Sequence, residues 1–236
     1  MRLPTVVFDF DGTLALGRGP VLAYARQVAA ATGDEDFVPA ALAALARLDA
    51  GEEDYLDGYD AVRHVAGARD VPSAVLQQAY QASRRDLGTP AAPVTGPPGL
   101  GDFLAGLAPL ARLALATNAP ATGVDRVLAA IGAAPHLTAQ HFAIGKPAGL
   151  ASIVARYLDD GPVLSVGDIW AYDLAAADEL GAATALVGPS AGRSDVRPTL
   201  RGAGLADLYG DIQTWAAHAA PGPSAPAGVD PLPRKA

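Results

Sequence analysis

The hydrophobic positions of this chain change their period twice, and those changes mark out its architecture. Val6-Val7-Phe8 is a short β-branched and aromatic run entered through Pro4, which stops abruptly at Asp9-Phe10-Asp11-Gly12-Thr13. Such a run, bounded by turn residues, predicts a fully buried strand opening into a loop. From Pro20 to about Leu87 the spacing is helical throughout. Leu42, Leu45 and Leu48, then Tyr55, Tyr59, Val62, Val65 and Ala66, then Val75, Leu76, Ala79 and Tyr80 recur three and four apart. Gly33, Gly51, Gly67 with Asp70, and Pro72 divide this stretch into about four helices.

Residues 88–101, rich in Gly and Pro, read as the linker back to the first unit; their prolines lack the N–H groups that a phosphate-cradling loop would need. Beyond them, strand and helix patterns alternate. Helices over 99–108, 122–131, 148–158 and 171–180 each precede a short apolar strand, at 113–116, 140–142, 163–166 and 183–187. Alternating βα units of this kind predict a parallel sheet covered by helices on both faces. A last helix is expected over 205–217. The fold class is therefore α/β, a Rossmann-like core of residues 1–16 and 95–218, with an all-helical insert over 17–94. The Pro- and Ala-rich residues 219–236 read as a disordered tail.

Composition narrows the possibilities. Of 236 residues, 50% are hydrophobic and 18% charged, enough apolar material for a packed core and too little charge for a disordered chain. Acidic residues outnumber basic ones 25 to 17, which speaks against nucleic-acid binding, since that needs a basic face. With no cysteine, disulfides, thiolate metal sites and Cys nucleophiles are excluded. Charged residues such as Arg112 break every long apolar run, and the first residues lack a signal-peptide pattern, so a cytoplasmic protein without a membrane span is expected.

Ligands of open α/β sheets bind outside the carboxyl ends of the strands, so the residues expected there carry the functional question. The first strand ends in Asp9 and Asp11, and the 113–116 strand in Thr117-Asn118. The loop after 140–142 carries Lys146-Pro147. The 163–166 strand ends in Gly167-Asp168, with Asp173 a helical turn further on. Clustered carboxylates repel unless a cation joins them, and oxygen ligands suit a hard ion such as Mg²⁺. One carboxylate could attack phosphorus while another protonates the leaving oxygen. Thr117, Asn118 and Lys146 could bind the equatorial oxygens. Alone, each feature has an ordinary reading: turn caps for Asp9 and Asp11, a helix cap for Thr117-Asn118, a surface position for Lys146. Their joint occurrence at successive strand ends overrides those readings.

The run Val6-Val7-Phe8-Asp9-Phe10-Asp11-Gly12-Thr13-Leu14 resembles the first motif of the haloacid dehalogenase superfamily. Thr117-Asn118, Lys146 before Pro147, and Gly167-Asp168 with Asp173 are similar to its second, third and fourth motifs, in the family order. The helical insert resembles a type C1 cap. The resemblance implies a Mg²⁺-dependent phosphatase of small phosphorylated metabolites. Asp9 would be the nucleophile that forms an aspartyl-phosphate, and Asp11 the general acid/base. Thr117, Asn118 and Lys146 would bind phosphate. Asp9, the backbone carbonyl of Asp11, and Asp168 would hold Mg²⁺, with Asp173 acting one layer out on its water or on Lys146.

A phosphosugar mutase would share these core residues, and a non-catalytic relative would have to have lost one of them. Asp11 speaks against a dehalogenase, and the absence of lysine over 17–94 against phosphonatase chemistry. The third motif departs from the family's commoner KPxP, reading Lys146-Pro147-Ala148-Gly149, and Ile169-Trp170-Ala171-Tyr172 fills the fourth with bulk. Trp170 and Tyr172 are expected to pack against the insert. Arg18, Arg63, Arg84 and Arg85 are expected at its surface, His136 and His141 in packing or surface roles, His64 as an ordinary interfacial residue, and Glu52-Glu53-Asp54 at a solvated helix start.

Overall fold

A computed structural model describes residues 3–52, 55–189, 191–192 and 195–219. Its centre is a six-stranded sheet, every pair parallel, in the order β3-β2-β1-β4-β5-β6. The strands are β1 (Thr5–Phe8), β2 (Arg112–Ala116), β3 (Ala139–His141), β4 (Val163–Gly167), β5 (Ala183–Leu186) and β6 (Leu200–Arg201). The order reverses direction at β1, so a crevice forms where the chain leaves β1 between neighbours that diverge to opposite sides.

Side chains alternate across this sheet with a period of two. Val6 and Phe8, Leu113 and Leu115, and Leu164 and Val166 point to one face, where they meet α5 (Leu100–Leu107), α6 (Val124–Ala130) and α9 (Tyr209–Ala219). Val7, Ala114, Ala116 and Val163 point to the other, against α7 (Ala148–Leu158) and Ala177 of α8 (Ala175–Glu179). Both faces are thereby buried, the condition under which short strands read as unbroken apolar runs.

The insert between β1 and β2 consists of α1 (Gly19–Thr32), α2 (Phe37–Ala50), α3 (Gly58–Gly67) and α4 (Ser73–Ser83). Its boundaries have local causes. Pro20 opens α1, where a missing N–H costs nothing, and Gly33 and Gly51 close α1 and α2 in the left-handed conformation. Asp57 caps α3 by accepting a 2.6 Å hydrogen bond from Asp60 N. The four helices bury their own apolar cluster, with Tyr24, Val28, Phe37, Leu45 and Val62 inside it. Where the insert joins the core, the outgoing and returning chains pair: Leu16 N donates to Thr95 O at 2.8 Å and Thr95 N to Leu16 O at 3.0 Å.

Some details depart from the sequence expectation. The helix expected over 171–180 is split into a π-helical turn, Trp170–Leu174, and the short α8. The helix expected over 205–217 begins as a 3-10 turn, Leu205–Leu208, before α9. The sixth strand, only two residues long, was not foreseen, because two residues show no period. Glu52 follows the end of α2 rather than opening a helix, since α3 starts at Gly58; Glu53 and Asp54 lie outside the described residues, as do residues 220–236 of the expected tail. Among the described residues, no helix is long and apolar enough to cross a membrane.

Candidate active site

The residues expected at the strand ends do meet at one rim of the sheet. Asp9 leaves β1 with its backbone still tied in, Asp9 N donating to Val166 O of β4 at 2.9 Å. Lys146 Nζ donates to Asp9 Oδ1 at 2.5 Å and to Asp173 Oδ1 at 2.7 Å. The lysine side chain is only 3% exposed. Burial works against its charge, but the carboxylates of Asp9 and Asp173 outweigh that and hold it well above the usual lysine range. Lys146 is therefore an ammonium ion fixed between two acids.

The loop that carries this lysine is held to the neighbouring strand end, Lys146 N donating to Asn118 Oδ1 at 2.7 Å. That bond occupies the oxygen of the Asn118 amide and leaves its NH₂ group for a ligand. Beside it, Thr117 is buried at the end of β2. Its hydroxyl oxygen accepts from Ala119 N at 3.0 Å, so its proton remains free to be donated.

Asp168 and Asp173 reach the rim because two glycines make room for them. A Cβ on Gly12 would stand 2.3 Å from an Asp168 carboxylate oxygen, and one on Gly167 would stand 2.3 Å from Asp173 Cβ. The π-helical turn then folds Asp173 back over the end of β4. Ile169 N donates to Asp173 Oδ2 at 2.9 Å, and Ser165 Oγ to Asp173 O at 2.7 Å. Ligand oxygens of Asp9, Asp168 and Asp173 all lie within 4.8 Å of one another. Burial first, then the neighbouring acids Asp173 and Asp9, push the Asp168 carboxyl well above its ordinary range. Burial and Asp9, opposed by Lys146, push Asp173 up to about 7. Three carboxyl groups this close, with one ammonium ion among them, repel one another once all are ionised, and their oxygens are the donors a hard divalent cation takes.

Asp11 is placed differently. Its carboxylate is not one of that trio but faces Arg84, whose Nη1 donates to Asp11 Oδ1 at 3.3 Å and to Oδ2 at 3.4 Å. Burial raises the Asp11 pKa most, and Asp9 adds to this against the opposing pull of Arg84. The expectation of a surface role for Arg84 is thus corrected: its side chain is 1% exposed and lies under the insert, not on it. Its position in the last turn of a helical pattern resembles that of any solvated arginine, so sequence had no signal for it beyond the short distance from α4 to the returning linker.

Above the rim, the insert and the core line an open cavity of about 700 Å³. Its floor is formed by the site residues and its walls include Tyr24, Tyr59, Tyr80 and Arg63 from the insert, and Tyr172 from the core. Tyr172 therefore faces the cavity, whereas Trp170 packs on Leu174, Leu186 and Ala191 of the core, not on the insert. Arg63 is bound to Asp60 at 3.1 Å, and Arg18 pairs with Asp49. Arg85 is exposed, as expected. His141 bonds to the Tyr157 hydroxyl at 2.9 Å; His64, expected at an interface, is exposed instead, its ring tilted against that of Tyr55.

The model of the haloacid dehalogenase-like hydrolases matches residues 3–181, a span that holds every residue of the rim. The chain belongs to that family. No curated protein matches this hydrolase in sequence. Its fold is shared by solved structures at low identity. The HAD-hydrolase YfnB from Bacillus subtilis, described as bound to magnesium, is 17% identical with a TM-score of 0.61, over 90% of this chain and 99% of that one. A 2-haloacid dehalogenase from Pseudomonas syringae is 20% identical with a TM-score of 0.55, over 90% and 99%. A HAD phosphatase from Thermococcus onnurineus is 16% identical with a TM-score of 0.55, over 89% and 98%. Because this dehalogenase-like hydrolase shares its fold with a dehalogenase and a phosphatase alike, its reaction has to be argued from its own residues.

Proposed function

We propose that this hydrolase is a Mg²⁺-dependent phosphatase of small phosphate monoesters, acting through an aspartyl-phosphate on Asp9. The observation that carries the reading is the cluster of Asp9, Asp168 and Asp173, whose oxygens could hold a cation, with buried Lys146 bridging Asp9 and Asp173 and a separately held carboxyl, Asp11, lining the same cavity. A haloacid substrate releases halide, which needs no proton. An ester releases an alkoxide, which does, and Asp11 is the acid available for it.

The donor set fits a magnesium ion. Asp9 and Asp168 would hold it together with the Asp11 backbone carbonyl, and Asp173 would steady it through Lys146. When bound, the ion would neutralise phosphate charge and favour attack by an anionic nucleophile. Lys146 orients the Asp9 carboxylate by donating to one of its oxygens. Thr117 and the Asn118 NH₂ group would donate to phosphate oxygens as charge spreads over them. Asp11 would give its proton to the leaving oxygen as the Asp9–phosphorus bond forms, then take one from the water that hydrolyses the acyl phosphate. The helical insert roofs the cavity and would exclude bulk water during this sequence. Its volume suits a small ligand.

The test is phosphate release from a panel of phosphorylated metabolites with and without Mg²⁺. Asp9→Asn is expected to abolish release while the circular dichroism spectrum and melting temperature stay close to those of the unaltered protein. Turnover retained in a folded Asp9→Asn protein would overturn the reading.

A further inference from the structure

We propose that Arg84 is a positioning residue for the acid/base carboxyl, holding Asp11 at the angle from which it serves the leaving oxygen. The inference rests on the reading of Asp11 given above and adds to it a group that none of the strand-end motifs contains.

Arg84 is the first residue after α4, where the chain turns back to the core. It is the largest fully buried side chain among the described residues. Burying a guanidinium is expensive unless its N–H groups are paired. Here one nitrogen carries all the hydrogen bonds: Nη1 donates to both Asp11 oxygens and, at 3.3 Å, to the Tyr59 hydroxyl. Nε and Nη2 find no hydrogen-bond partner among the described residues. The guanidinium carbon lies over the Phe10 and Tyr80 rings, 5.8 Å from each centroid. An apolar side chain of equal length would fill this aromatic slot without the desolvation cost. What it would lack is the contact with Asp11.

That contact has a specific form. Nη1 is shared between the two carboxylate oxygens, at 3.3 Å and 3.4 Å, which ties the end of the Asp11 side chain to one buried point. Arg84 is the one side chain that hydrogen-bonds to Asp11 among the described residues. The Asp11 side chain remains 26% exposed and lines the cavity, so it is anchored on one edge and open on the other. The backbone of Arg84 is wedged as well: a Cβ on Gly123, just before α6, would stand 2.8 Å from Arg84 O. A flat, weakly hydrated guanidinium suits a buried position beside aromatic rings better than a compact, strongly hydrated ammonium, so lysine is no equivalent. Since Tyr59 belongs to α3, the same nitrogen also ties the acid/base to a wall of the insert.

During ester cleavage the Asp9–phosphorus bond forms, the phosphorus–oxygen bond breaks, and the Asp11 proton passes to the departing oxygen. A poorly basic leaving group needs no such proton. Rapid-quench measurement of enzyme phosphorylation therefore separates positioning from folding. The probes are p-nitrophenyl phosphate and whichever of glycerol, ethanolamine and hexose phosphates the unaltered protein cleaves fastest.

Arg84→Met and Arg84→Lys are expected to slow phosphorylation by the alkyl ester about 100-fold, the scale of a misplaced catalytic group. Phosphorylation by p-nitrophenyl phosphate should stay within a factor of a few. In an Asp11→Asn background, Arg84→Met should cost nothing further with the alkyl ester. Equal losses with both esters, no loss with either, or additive losses in the double variant would each overturn the proposal. If Arg84→Met does not fold, Arg84→Lys and the double variant, which removes both partners, supply the same comparison. Failure of Asp9→Asn to abolish turnover would instead overturn the phosphatase reading, so the two failures are distinct.

Discussion

Lys146 and Asp9 lie 137 positions apart in the chain and 2.5 Å apart in the fold. The lysine neutralises part of a trio of acids, so its removal should be felt in two ways. In Lys146→Met, activity should fall about 100- to 1,000-fold, in line with the loss of one preorganised electrostatic contact. Lys146→Arg should not restore it, because a planar fork cannot replace a compact ammonium held between two carboxylates. Steady-state rates of the two variants check this. The same trio makes a prediction about pH. Asp168 and Asp173 have raised pKa values, Asp173 up to about 7. Between the usual carboxylate range, about pH 4, and about pH 7, the folded protein then holds protons that the unfolded chain has released. Stability in EDTA should therefore fall as pH rises through that window, and Mg²⁺, by binding only the folded site, should cancel the fall. Melting temperatures at pH 5 and pH 7, with EDTA and with Mg²⁺, test it. In Asp168→Asn the rise in melting temperature with Mg²⁺ should be lost.

The elements that present these residues depend on a few local devices. Asp57 caps α3, the helix that carries Tyr59 and Arg63 to the cavity. Asp57→Ala should cost about 1 kcal/mol of stability, readable as a shift in urea midpoint, and should loosen α3 more than the sheet. Gly167 ends β4 directly under Asp173. Gly167→Ala would drive a methyl group into the Asp173 side chain and should reduce activity as severely as loss of that carboxylate, although no charged group is removed. At this scale the sequence was read well where a segment was long and periodic, as in α7, expected over 148–158 and found at Ala148–Leu158. It was read less well at the Trp170–Leu174 turn, where helical spacing hides whether the turn closes as α or π. The hydrophobic pattern of the two is nearly the same over five residues, and the tight fit of Asp173 over Gly167 is a tertiary fact.

The whole molecule has separate apolar clusters in the insert and on the two faces of the sheet. Phe37 is fully buried in the insert and touches neither face. Phe37→Ala should cost the insert about 3–5 kcal/mol. Amide exchange should then speed up across α1 to α4 while β1, β2 and β4 keep their protection. Uniform loss of protection would mean that the insert and the sheet unfold as one unit.

The sequence by itself determined the α/β class, the helical insert after the first strand, and the strand ends at which Asp9, Asp11, Thr117, Lys146 and Asp168 emerge. Each of those follows from hydrophobic period and turn chemistry, which act over a few residues. Tertiary structure decided that Asp173 joins Asp9 and Asp168 in one trio while the Asp11 carboxylate turns to Arg84, 73 positions away. It also decided which insert residues wall the cavity. A periodic pattern says which side of a helix is buried, but an arginine looks the same in sequence whether it meets water or a carboxylate. Only the packing of insert against core settles which of the two it meets.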